Sequence, residues 1–231
     1  MEGVFSALKR SANPQKAKNL SRFFKTGVGE YGEGDKFLGI VVPIQRTIVK
    51  KFYSQITLND VAELLHDPHH ECRLTALLIL VAKYKKVPDE EREKIVKIYL
   101  DNTRFINNWD LVDLSARDIV GEYFFRRNKE ILFKLTKSKS LWERRIAVLA
   151  TFYFIAKNQF DDSLKIAEIL LKDKHDLIHK AVGWMLREIG KRNQTVEEEF
   201  LKKYYKTMPR TMLRYAIERF DEKKRKFFMQ K

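Results

Sequence analysis

The sequence predicts an all-α chain, a solenoid of paired antiparallel helices, on three observations. Apolar residues recur at helical spacing, and no alternating apolar and polar run long enough to build a sheet follows the first forty residues. Pro14, Pro43, Pro88 and Pro209 each stand just ahead of an amphipathic stretch, where a missing N–H is tolerated in the first helical turn. Ala147, Ala181 and Ala216 recur about every 34 residues, a period typical of helical-hairpin arrays.

Helices are expected at 4–10, 14–25, 43–52, 58–65, 71–85, 88–100, 109–125, 129–135, 141–157, 162–171, 177–191, 196–206 and 210–220. The prolines open four of them. His66 with Asp67-Pro68 ends the fourth in a turn, and Asn108 is a natural N-cap for the helix that starts at Trp109. From Leu58 onward the helices fall into pairs. Their second members share a basic residue just ahead of an alanine: Arg73 and Ala76, Arg145 and Ala147, His179-Lys180 and Ala181, Arg214 and Ala216. The small alanine lets neighbouring helices approach, so the second helices are expected to line one concave face on which distant residues converge.

A chain of 231 residues with 44% hydrophobic content is sized for one domain. Its expected parts are N-terminal helices at 1–56 with a Gly-rich loop at 27–39, repeats at 57–220 and a basic, solvated tail at 221–231. Lys and Arg number 46 against 31 Asp and Glu, a net charge of +15, which points to a polyanionic partner and first to nucleic acid. A membrane-surface protein would concentrate that charge on one amphipathic segment, whereas here it is spread along the chain. The apolar stretches 74–82 and 146–156 are too short or too interrupted to span a bilayer, and MEGVFSALKR lacks a signal-type apolar run. Cys72 has no partner for an internal disulfide and reads as a small buried side chain in a reducing compartment. A soluble, cytoplasmic monomer is the expectation.

Two patterns are decoys. Gly27 to Gly32 matches GxGxxG, but it follows a helical stretch and leads into more glycine, so a surface loop is expected and no nucleotide cofactor. His66, His69, His70, Glu71 and Cys72 resemble a metal cluster but match no zinc spacing, and no metal is expected.

The chemistry-bearing pattern is Asn107-Asn108-Trp109-Asp110-Leu111-Val112-Asp113, in which Trp109 and Asp113, four apart, share one helix face. A second stripe, Lys180, Trp184, Arg187 and Lys191, flanks an indole with cations, which suits a sugar-phosphate backbone. Arg145 occupies the matching place in the intervening repeat, and Trp142 reads as core.

At these residues the sequence resembles the AlkD-type family of DNA alkylation repair glycosylases, built from HEAT-like repeats. The resemblance runs from about Asn13 to Phe220. It rests on Phe37-Leu38-Gly39-Ile40 with Pro43 and Arg46, Trp109-Asp110 with Val112-Asp113, Trp142 with Arg145 and Ala147, and Lys180-Ala181 with Gly183-Trp184 and Leu186-Arg187-Glu188. It implies that Asp113 is the catalytic carboxylate, that Trp109 and Trp184 contact the lesion's deoxyribose and that Arg145 holds the backbone. Lys180, Arg187, Lys191 and Arg46 are expected as further contacts to double-stranded DNA. The family grips the backbone and leaves the lesion in or near the stack, in keeping with the lack of a base pocket in the sequence pattern. A purine alkylated at N3 or N7 is already cationic and leaves without an acid, so one carboxylate suffices where a sugar glycosidase needs two. The alternative, from a different class, is a non-catalytic HEAT-like module that binds DNA or protein and has no use for Asp113.

Overall fold

The computed structural model describes residues 2–230. Its regular structure is helical apart from one isolated bridge between Lys36 and His69. Two compact units meet in sequence at Ser115 and Ala116.

The first unit holds α1 (Glu2–Arg10), α2 (Pro14–Phe23), α3 (Val42–Phe52), α4 (Leu58–Leu65), α5 (His70–Tyr84), α6 (Asp89–Asp101) and α7 (Trp109–Asp113). Caps set the boundaries. Asn13 accepts the Lys16 N–H with Pro14 in the first helical turn, and Thr57 and Asp60 form a reciprocal capping box at the start of α4. α5 is buried without a break from His70 to Leu80, as a central helix must be when it is packed by α1, α3, α4, α6 and α7. The loop between α2 and α3, expected as a flexible surface loop, is tied to this helix. The Glu71 carboxylate accepts the N–H groups of Leu38, Gly39 and Ile40 at 2.9, 2.7 and 3.1 Å. Gly39 sits at φ +83°, and a Cβ there would lie 2.0 Å from the Asn13 carbonyl oxygen, so no other residue fits.

The second unit opens on a π-helical turn (Arg117–Gly121), followed by α8 (Glu122–Phe124), α9 (Glu130–Thr136), α10 (Leu141–Ala156), α11 (Asp161–Ile169), α12 (Asp176–Gly190), α13 (Gln194–Tyr204), α14 (Arg210–Ala216) and α15 (Glu222–Met229). Its second helices α10, α12 and α14 pack one on the next, with Ala147, Ala181 and Ala216 fully buried, as the alanine period predicts. A Cβ on Gly183 of α12 would lie 2.4 Å from the Met212 carbonyl oxygen, so backbones touch there.

Three expectations change. The helix expected at 109–125 is broken: the Ser115 hydroxyl bonds back to the Leu111 carbonyl and to Tyr99, and a π-turn follows. The tail at 221–231, expected as a solvated end, is packed over its described residues, because α15 buries Phe228 and its Met229 carbonyl accepts from Arg210. The basic residue of the repeat also shifts register. Arg73 donates to the carbonyls of Asp67 and Pro68, Arg144 to those of Ser138 and Lys139, and His179 to that of Asp173, so each side chain folds back on the turn ahead of its helix. Arg144, not Arg145, is therefore the counterpart of Arg73.

Candidate active site

Trp109 and Asp113 lie on α7, whose N-cap is Asn108: its side-chain oxygen accepts the Trp109 N–H at 2.8 Å. Both are half-buried on the wall of a cavity of about 430 Å³ within the first unit. Its wall is built from α2 and its C-cap (Leu20, Phe23, Phe24), the loop and start of α3, α5 (His70, Glu71, Leu74) and α7 (Trp109, Asp110, Asp113). The aromatic rings form a connected set. Phe24 stacks on Trp109 at 5.1 Å and on Phe37 at 5.3 Å, Phe37 stacks on the His70 ring at 4.8 Å, and Phe23 meets Trp109 edge-on at 5.8 Å. Phe23 is 62% exposed, an unusual place for a phenyl ring. No base pocket was expected from the sequence, and the pattern of residues along the chain did not show this cavity.

Behind the rings lies a buried polar cluster. The His70 imidazole bonds Asp110 through Nε2 at 2.8 Å and Asp35 through Nδ1 at 3.2 Å. Asp35 in turn accepts from Arg73 at 2.7 Å and from Asn107 at 3.1 Å. Burial pulls the His70 pKa down, but the bonds to the two carboxylates and their charge outweigh it and raise it to about 9. The Asp35 carboxyl is pushed up by burial and held below its ordinary value by the bond to His70 and the Arg73 charge. His70 is thus an imidazolium at neutral pH that fastens the Gly-rich loop, through Asp35, to the helix bearing Asp113, through Asp110. Asp110 is committed to this tie, its other oxygen accepting the Leu111 N–H at 2.9 Å.

In the second unit Trp184 is half-buried on α12. Its ring meets Phe152 edge-on at 5.6 Å and its indole N–H donates to Glu188 at 3.1 Å, while the Arg117 guanidinium covers Phe152 at 4.6 Å. The expected cations are paired on the surface: Lys180 with Asp176 at 2.7 Å, Lys191 with Glu188 at 2.6 Å and Arg187 with Glu218. Such exposed pairs are worth about 0–1 kcal/mol, so phosphate can compete for the cations. Arg46 is exposed on α3. Arg145 is different. It is 5% exposed and its guanidinium donates to the Leu177 carbonyl at 2.6 Å, which ties α10 to the start of α12. Trp142 is core, as expected.

Sequence reasoning missed Phe23, Phe24, Asp35 and His70. Phe37 stood in the motif without a role, and His70 was visible only inside a misleading His-rich run. Within that run Asp67, His69 and Cys72 bring potential ligand atoms within 4.8 Å of one another. Asp67, however, already accepts both the backbone and the ring N–H of His69, and burial pushes the Cys72 thiol pKa up, against the thiolate that a metal needs.

A family model described as DNA alkylation repair enzyme matches residues 4–220. Among solved structures, the chain is similar to a predicted DNA alkylation repair enzyme from Enterococcus faecalis, with a TM-score of 0.71 and 18% identity over 92% of this chain and 98% of that one. AlkD2 from Streptococcus mutans gives a TM-score of 0.56 and 17% identity over 90% and 98% of the two chains. The smu.31 protein from Streptococcus mutans UA159 gives 0.55 and 17% over 93% and 100%. No curated protein matches.

Proposed function

The chain belongs to the DNA alkylation repair enzyme family, and from that premise we propose that it is a monofunctional DNA glycosylase that releases cationic N3- and N7-alkylated purines. The observation that carries the reading is Asp113, half-buried beside the Trp109 indole on the wall of an aromatic-lined cavity. As the glycosidic bond of an alkylpurine breaks, the base departs neutral and positive charge grows on the sugar. A carboxylate about 4 Å away at an effective dielectric near 20 attracts that charge by about 4 kcal/mol, worth roughly a thousandfold in rate. The same carboxylate can orient the attacking water. The face of Trp109 adds cation–π attraction to the same sugar. No acid is required, so the engagement of Asp110 by His70 costs the reaction nothing.

Double-stranded DNA is the partner this reading requires, with Trp184 assigned to the lesion's deoxyribose and Lys180, Arg187 and Lys191 to the backbone. The test is to incubate the protein with a duplex carrying 7-methylguanine and measure free base. Release well above the spontaneous rate is expected. Binding without release would instead support the non-catalytic module.

A further inference from the structure

The second unit carries a guanidinium whose hydrogen-bonding capacity the fold leaves unused. Arg117 opens the π-helical turn, and 42% of its side chain is exposed. Its Nε is buried without a hydrogen bond, an Asp118 oxygen lying 4.0 Å away and so out of range. The two terminal nitrogens are open to solvent and make no hydrogen bond among the described residues. The cations around Trp184 differ, since Lys180, Lys191 and Arg187 each reach a carboxylate.

The position of Arg117 is nevertheless fixed. Its carbonyl accepts the Glu122 N–H across the wide turn, and the turn packs on α10. Gly121 makes that approach possible, for a Cβ there would lie 2.2 Å from the Ala150 carbonyl oxygen and 2.9 Å from the Tyr153 Cβ. From this seat the guanidinium lies over the half-buried Phe152 ring at 4.6 Å, and Phe152 in turn meets Trp184 edge-on at 5.6 Å. Guanidinium, phenyl and indole thus form one row across the turn, α10 and α12. Stacking occupies the face of the guanidinium and leaves its N–H edge free, the geometry that grips a phosphate through two parallel bonds.

We propose that Arg117 is a phosphate-binding residue that holds the DNA backbone next to the sugar assigned to Trp184, with Phe152 as the platform that aims it. The inference rests on duplex DNA as the partner and on the Trp184 assignment, not on the glycosylase reaction. Every deoxyribose within a strand is bonded to a phosphate on either side, so a sugar seated on Trp184 brings one close to that ring. Arg117 stands one phenyl ring away. Because the ring already holds the guanidinium, little conformational freedom is lost when phosphate arrives.

The test measures affinity for an undamaged duplex by fluorescence anisotropy over a range of salt, with thermal midpoints checked for each variant. Arg117→Gln keeps a planar group on Phe152 and removes the charge. One lost phosphate contact should reduce the slope of log affinity against log salt by about 0.9 and, at about 0.1 M salt, weaken binding about eight-fold. Arg117→Ala, which clears the ring, should give the same loss, so either variant decides the matter if the other fails to fold. Arg117→Lys keeps the charge and should keep the slope, with affinity reduced by about three-fold because the planar fork is gone. Lys203→Gln, which removes an exposed lysine on α13, should leave the slope in place. An unchanged slope on loss of the Arg117 charge, or an equal loss of slope in Lys203→Gln, would overturn the proposal while wild-type binding upholds the duplex reading. A wild-type protein that does not bind the duplex would sink that reading and the proposal together.

Discussion

Asp113→Asn keeps the shape of the side chain and removes its charge, so it separates catalysis from binding. Single-turnover release of 7-methylguanine should fall by roughly 10²- to 10³-fold with duplex affinity unchanged or slightly raised, since a carboxylate repels phosphate. Normal release by this variant would clear Asp113 of the role. His70 makes a different prediction, because it acts through Asp35 and Asp110. Its folded pKa of about 9 lies above the ordinary 6.5, so its stabilising contribution is complete below 6.5 and is lost as pH rises through 9. Denaturant midpoints should decline across that window. His70→Gln should flatten the decline and, by leaving buried carboxylates without their cation, cost roughly 3–5 kcal/mol at neutral pH. A variant as stable as wild type at neutral pH, with the same pH profile, would show that the imidazolium tie has no weight.

Helix-to-helix ties decide what happens at the scale of elements. Arg145→Ala removes the bond to the Leu177 carbonyl and should lower stability by about 1–3 kcal/mol while leaving the salt dependence of DNA binding unaltered. A lower salt slope with unchanged stability would return Arg145 to the phosphate-contact role that its sequence position suggested. Gly183→Ala places a methyl group against the Met212 carbonyl and the Tyr215 Cβ, where backbone and not a pliable side chain must give way. The row of α10, α12 and α14 should loosen, with a thermal midpoint lower by several degrees and a cost of roughly 1–3 kcal/mol. A midpoint equal to that of wild type would mean that α12 and α14 are free to separate.

Across the whole molecule, a charge of +15 makes affinity for DNA strongly dependent on salt. If Lys180, Arg187 and Lys191 each neutralise a phosphate, changing any one to Ala should weaken binding to damaged and undamaged duplex alike and reduce the slope of log affinity against log salt by about one. A loss confined to damaged DNA would assign the residue to reading the lesion.

Local chemistry was enough to read much of this protein. Apolar spacing, prolines in first turns, Asn108 as a cap and buried alanines fixed the helices and their pairing, because these signals act within a few residues or repeat along the chain. Trp109 and Asp113 could be placed on one helix face for the same reason. What needed tertiary structure involves residues far apart in sequence or choices between adjacent ones. His70 is 35 residues from Asp35 and 40 from Asp110, so nothing local signals that a histidine in a metal-like run is a buried imidazolium tie. Arg144 and Arg145 are neighbours of equal charge, and only the packing of α10 on α12 buries one guanidinium on Leu177 and aims the other at Asp173. The cavity is drawn from α2, a loop, α5 and α7; the sequence supplied its rings, and the fold brought them together around Asp113.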